Sequence, residues 1–236
     1  MAEYQNRFMQ SRISELLRNF PALALLGPRQ CGKTTLARYI CDNFGPAVYL
    51  DLEKASDLNK LTDPELFFAN NTEGLVCIDE VQRRPDLFAH LRSVLDSANR
   101  NGHLLLLGSA SRDLIRQSSE TLAGRIVYCE LSPFIHSEVV EKYSEELLWL
   151  RGGFPRSFLA SSGAMSVKWR ESFVQTYLER DIPQLGFAVP AALLRRLWSM
   201  IAHNSGQLLN SSKLGESLGL SHTTIRSYLD ILEQTF

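Results

Sequence analysis

Gly27-Pro28-Arg29-Gln30-Cys31-Gly32-Lys33-Thr34 matches G-x-x-x-x-G-K-[ST] at every fixed position, and few short segments restrict a fold as tightly. The match lies between the apolar run Ala22 to Leu26 and a stretch in which Leu36, Ala37 and Ile40 recur at helical spacing. A strand, a glycine turn and a helix in that order make a cradle for an anion. Gly27 and Gly32 accept backbone angles closed to other residues, so amides can approach phosphate oxygens closely. The helix adds unpaired N–H groups and the positive end of its dipole. Lys33 can reach the β- and γ-phosphates, and the Thr34 hydroxyl can ligate Mg²⁺. Pro28, Arg29, Gln30 and Cys31, with Thr35 just beyond, are expected to border the same ligand. Alkylation of Cys31 is therefore expected to block nucleotide binding. A glycine turn with an incidental lysine is the competing explanation, and it gives no reason for the flanking strand and helix.

Further short apolar runs follow at Val48 to Leu50, Leu75 to Ile78, Leu104 to Leu107 and Ile126 to Cys129. Helical patterns separate them, notably Leu87, Leu91, Val94 and Leu95 on one face. Another helix precedes the first run, with Ile13, Leu16, Leu17 and Phe20 at helical spacing. Apolar runs alternating with helices imply parallel strands covered on both faces. From Pro133 onward only helical patterns remain, punctuated by Pro155, Gly163, Pro183 and Pro190.

The run Leu75 to Ile78 ends in Asp79-Glu80. Carboxylates at the carboxyl end of a strand share an edge of the sheet with the phosphate loop. Asp79 is expected to hold Mg²⁺ through a water, and Glu80 to polarise the water that attacks the γ-phosphate. The alternative is a helix start, where acidic residues favour the dipole. Leu104 to Leu107 ends in Gly108-Ser109-Ala110-Ser111. There Ser109 either orients the attacking water or, like Ser111, caps the next helix.

A formal net charge of −1 offers no global attraction to nucleic acid. Cys31, Cys41, Cys77 and Cys129 form no C-x-x-C pair and read as buried free thiols. The polar first residues and the shortness of every apolar run point to a soluble cytoplasmic protein that does not enter a membrane.

These segments together resemble the prokaryotic AAA-superfamily ATPases. The resemblance is carried by Gly27-Pro28-Arg29-Gln30, Gly32-Lys33-Thr34-Thr35, Tyr49-Leu50-Asp51-Leu52-Glu53 and Asp79-Glu80-Val81-Gln82. It continues through Leu122-Ala123-Gly124-Arg125, Gly152-Gly153-Phe154-Pro155 and Tyr177-Leu178-Glu179-Arg180-Asp181. It implies an α/β P-loop NTPase, AAA-like, with a five-stranded parallel sheet of order 5-1-4-3-2, ATP and Mg²⁺ as ligands, and ATPase activity. By the same resemblance, residues 1–132 form the core, 133–205 a helical lid, and 206–236 a truncated winged-helix or helix-turn-helix segment. Arg125 is similar to an arginine that supplies positive charge to the transferring phosphate, of its own nucleotide or a neighbour's. The alternative for Arg125 is a surface salt bridge. Pro155 resembles the lid turn that packs on adenine. Family members continue well past this length, so their C-terminal domain of unknown function is expected to fall outside the chain. Leu232 and Phe236 are then expected to leave an apolar patch.

Asn210 and Ser221 are good helix N-caps with Gly219 as a terminator between them, so a helix-turn-helix pair is expected within 206–236. His222, Thr223, Arg226 and Ser227 are its candidates for facing DNA, although Asp230 and Glu233 oppose phosphates. Three functional classes follow: an ATPase coupling nucleotide state to shape, a nucleotide-gated interaction switch with little hydrolysis, and a DNA-binding regulator. A small-molecule kinase is the weakest rival. ATP is the expected partner, with a second copy of the chain and DNA through 206–236 as further candidates.

Overall fold

The computed structural model describes residues 4–108, 120–184 and 186–235. The five apolar runs become β1 (Ala22–Leu26), β2 (Ala47–Asp51), β3 (Leu75–Asp79), β4 (Leu104–Leu107) and β5 (Ile126–Glu130). Every pairing is parallel, and the order is β2-β3-β4-β1-β5, the expected 5-1-4-3-2 read from the other side. Successive strand residues point to opposite faces, and each face has its own core. Ala22, Ala24, Leu26, Val76, Ile78, Leu104 and Leu106 meet Leu87, Leu91 and Leu95 of α5 (Leu87–Ala98). On the other face Leu23, Leu25, Cys77, Leu105 and Leu107 meet Ile13 and Leu17 of α1 (Met9–Asn19). Leu36 and Ile40 of α2 (Lys33–Phe44) complete that layer. Two short helices, α3 (Ala55–Lys60) and α4 (Pro64–Ala69), cross between β2 and β3. Asp63 caps α4 by accepting from the Leu66 amide at 3.0 Å.

The chain divides into two compact units, Met1–Phe158 and Leu159–Phe236. Residues 133–158 therefore pack with the sheet-bearing unit, which cuts through the stretch expected to form one lid. Phe134, Tyr143 and Phe158 form edge-on contacts at 5.7 and 5.0 Å that hold α6 (His136–Val139), α7 (Glu145–Arg151) and α8 (Pro155–Phe158) together. Glu138 of α6 then ties this group to the first unit through its 3.0 Å ion pair with Arg7, ahead of α1.

The second unit is helical. In α9 (Gly163–Thr176), Trp169 stacks on Phe173 at 5.1 Å, and Phe173 stacks on Tyr177 at 6.0 Å. A wider turn over Tyr177–Asp181 leads to α10 (Ile182–Gln184), then α11 (Ala191–His203), α12 (Ser211–Leu218) and α13 (His222–Thr235). Tyr177, Leu178, Leu194, Leu197, Leu214 and Ile225 form its core. Asn210 caps α12 through the Lys213 amide at 3.1 Å, and Gly219 ends it with φ 71°. His222, Thr223, Arg226 and Ser227 are exposed, as are Asp230 and Glu233. Leu232, expected to be left uncovered, is buried in this core, while Phe236 lies outside the described residues.

All four cysteines are buried free thiols. Among the described residues no helix is long and apolar enough to cross a membrane.

Candidate functional site

The carboxyl ends of β1 and β3 bring the two predicted motifs together. Gly27 leaves β1 with φ 146°, and a Cβ there would lie 2.3 Å from the Leu131 carbonyl oxygen. Only glycine fits so close an approach. Gln30 follows at φ 63°, a left-handed angle costing a side-chain-bearing residue roughly 1–2 kcal/mol. Gly32 then enters α2.

Lys33 is 8% exposed, and its ammonium donates to the carbonyls of Gly27 and Pro28, each at 2.9 Å. Thr34 and Thr35 are exposed at the start of α2. The Thr34 hydroxyl donates to Asp79 Oδ2 at 2.7 Å. Asp79 is only 4% exposed, and its Oδ1 accepts from the Glu80 amide at 3.0 Å. A hydroxyl and a buried carboxylate are the hard oxygen donors that suit Mg²⁺.

Tyr49, one strand away on β2, also donates its hydroxyl to Asp79 Oδ2. Burial, and next its bond to Asp79, push the Tyr49 phenol well above its ordinary range, so it stays a donor. The Arg38 guanidinium lies over its ring, 4.3 Å from the centroid. The resemblance includes Tyr49, but its contact with Asp79 was not foreseen. The signal lies in the register, which pairs Tyr49 with Cys77 and Asp51 with Asp79.

Glu80 adopts φ 58°, a second left-handed residue without the glycine that usually permits it. Its carboxylate accepts from Gln82 Nε2 across the single turn Val81–Arg83. Burial raises the Glu80 pKa, and the Asp79 charge raises it further, while Lys33 and Arg29 draw it back.

Two expected site residues turn away from the cradle or stand apart from it. Cys31 is fully buried among Leu23, Leu25 and Leu36, beneath the loop rather than facing a ligand, so its contribution there is main-chain only. The same burial raises its thiol pKa, and alkylation of the folded protein is no longer the expected route to inhibition. Arg125 immediately precedes β5, at the amino edge of the sheet. Five residues at about 3.3 Å each place it roughly 16 Å from its own phosphate loop. There it forms a two-pronged ion pair with Asp96 of α5, at 2.5 and 3.0 Å. That is the surface salt bridge named as its alternative. Ser109 lies outside the described residues.

Pro155 returns to the cradle. A Cβ on Gly153 would sit 2.2 Å from the Phe134 carbonyl oxygen, so the glycine lets the backbone close on Phe134, whose amide donates to Gly153 O at 2.7 Å. Pro155 is thereby brought to 3.8 Å from the Cβ position of Gly32.

A model of the AAA domain matches residues 19–140, and one described as a domain of unknown function (DUF8612) matches residues 142–236. A domain of unknown function thus lies within the chain itself. Two curated relatives are the uncharacterized proteins Rv2008c of Mycobacterium tuberculosis (strain ATCC 25618 / H37Rv) and Mb2031c of Mycobacterium bovis (strain ATCC BAA-935 / AF2122/97). Each is 43% identical over 228 residues, covering 97% of this chain and 51% of the relative. The chain spans about half the length of the curated relatives it matches. Among solved structures, the Walker-type ATPase paby2304 of Pyrococcus abyssi aligns with a TM-score of 0.61 at 16% identity. That alignment covers 98% of this chain and 90% of the other, and it bears on fold alone. With that fold in common and residues 19–140 matching the AAA model, the chain belongs to the AAA family of ATP-binding proteins.

Proposed function

We propose that the chain is a Mg²⁺-dependent ATPase that couples nucleotide state to conformation. The observation that carries the reading is the 2.7 Å hydrogen bond from Thr34 to Asp79, which joins the phosphate loop to the strand-end carboxylates. Thr34 and Asp79 would hold the metal, which when bound neutralises charge on the β- and γ-phosphates. Lys33 leaves the Gly27 and Pro28 carbonyls for the phosphate oxygens. Glu80, held by Gln82, orients a water in line with the γ-phosphorus and takes its proton. As the water oxygen bonds to phosphorus, the bridging bond breaks and its electron pair stays on ADP. Phosphate release that requires Mg²⁺ and Glu80 together tests the reading.

Tyr49 supports the metal side by fixing Asp79. The Tyr49→Phe variant keeps the ring and loses the donor. Outer-shell partners of metal ligands are worth about 10–100-fold in metal affinity. We expect the Mg²⁺ concentration giving half-maximal nucleotide binding to rise about tenfold. An unchanged midpoint would remove Tyr49 from the site.

Arg125 fits a role in trans, because a neighbouring copy could present it to a phosphate loop that its own chain cannot reach. Arg125→Ala is expected to slow turnover by about 10³-fold. Mixing Arg125→Ala with the otherwise inactive Lys33→Ala protein should then restore measurable turnover, since each copy supplies what the other lacks. Mixtures as inactive as their components would refute a shared site. Residues 133–158, with Pro155 against the loop, supply the wall on the base side.

A further inference from the structure

Arg7, in the segment ahead of α1, is 4% exposed in its side chain, yet the nucleotide motifs do not include it. Its Nε pairs with Glu138 Oε1 of α6 at 3.0 Å, and the Glu138 side chain is 3% exposed. Nη1 donates to the Cys31 carbonyl at 3.0 Å, while Nη2 donates to the Ser132 and Pro133 carbonyls at 2.6 and 3.4 Å. The guanidinium also lies over Phe134, 4.9 Å from the ring centroid, and Nη1 is 3.5 Å from the Cβ position of Gly32. Glu138 is fixed in turn by the Phe8 amide at 2.9 Å and the Ile135 amide at 3.2 Å. A buried ion pair contributes little to stability by itself, because desolvation offsets its attraction. So satisfied a network points to a task beyond stability.

The task follows from how a phosphate loop is built. Its amides turn inward to the anion, and a loop carbonyl that is buried needs a donor of its own. In this chain Lys33 serves Gly27 and Pro28, and Arg7 serves Cys31. When a nucleotide draws Lys33 away, the Arg7 contact remains to hold the strained turn around Gln30. We propose that Arg7, locked by Glu138, is a positioning residue for the nucleotide, holding the phosphate loop in its anion-binding shape from outside the motif. The proposal rests on the phosphate-loop reading above. It also makes the segment ahead of α1 part of the site, joined through Ser132, Pro133 and Phe134 to the wall that carries Pro155.

The test compares the wild type with Arg7→Lys, Lys33→Ala and the double variant Arg7→Met/Glu138→Gln, at a temperature well below each melting transition. Lysine keeps the charge and the partnership with Glu138, but a single ammonium cannot span carbonyls on both segments. The double variant leaves no unpaired buried ion. ATP and ADP affinities are expected to fall roughly tenfold in both Arg7 variants, by the same factor for each nucleotide, since the loop holds the β-phosphate of either. A purely structural pair would lower the melting temperature and leave the affinity of folded molecules unchanged. Wild-type affinity in either folded variant overturns the proposal. Failure of both Arg7 variants to fold also overturns it, because the pair then serves the fold. If Lys33→Ala binds ATP as the wild type does, the phosphate-loop reading itself fails. If Lys33→Ala loses ATP while both Arg7 variants keep it, only the present inference fails.

Discussion

Lys33→Ala is expected to weaken ATP binding about 100-fold or more, with the fold preserved. Two charge-assisted contacts, to the β- and γ-phosphates, vanish with the ammonium, and together they are worth at least about 3 kcal/mol. In the structure the same ammonium donates to the Gly27 and Pro28 carbonyls. Truncation therefore also removes the donor that keeps those carbonyls satisfied. A modest drop in melting temperature should accompany the loss of affinity, and added ATP should no longer raise it. Calorimetric titration with ATP is the direct measurement, and retention of ATP at wild-type affinity would overturn the assignment of the phosphate cradle.

Glu80→Gln is the second large effect. Removing the base should lower turnover by about 10²–10⁴-fold and leave ATP affinity within a few-fold of the wild type. Tight nucleotide retention with wild-type turnover no better than that of this variant would favour the nucleotide-gated switch with little hydrolysis. Its pH dependence has a definite sign. Burial, then the Asp79 carboxylate, raises the Glu80 pKa above its ordinary 4.5. The folded protein thus holds a proton that the unfolded chain has already released. Stability falls as pH rises from 4.5 through the raised value. Above that raised value the ionised Glu80 is a liability to the fold, so there the glutamine variant should melt slightly above the wild type. Activity has the opposite need, an ionised base, and its acid limb should lie above that of an unperturbed glutamate.

The sheet was legible because each strand is a short apolar run bounded by turns, and the two alternating faces of Ala22 to Leu26 or Leu104 to Leu107 leave little room for another arrangement. The phosphate loop and Asp79-Glu80 were legible as types at fixed offsets. Orientation and pairing were not. Cys31 sits inside the motif, but which way its thiol turns depends on Leu23, Leu25 and Leu36 beneath it. Arg7 and Glu138 lie 131 residues apart, and no local pattern announces such a pair. The clustering of Phe134, Tyr143 and Phe158 likewise has no period, and with the Arg7–Glu138 link equally silent, the membership of residues 133–158 in the first unit could not be read from spacing. Arg125 is a different case. A residue directly ahead of a parallel strand must stand at the amino edge, and its distance from the loop follows once β1 and β5 are known to be neighbours.

That edge-to-edge separation constrains any assembly in which Arg125 completes another copy's site. A twofold dimer presents one self-complementary patch, and such a patch would have to contain both ends of the sheet at once. Contact between unlike surfaces, one molecule's amino edge against the next molecule's carboxyl edge, meets the requirement more simply. Interfaces of that heterologous kind close into rings or run on as helical filaments. Each copy would then donate to one neighbour and receive from another, and an incomplete ring would always leave one nucleotide without its arginine.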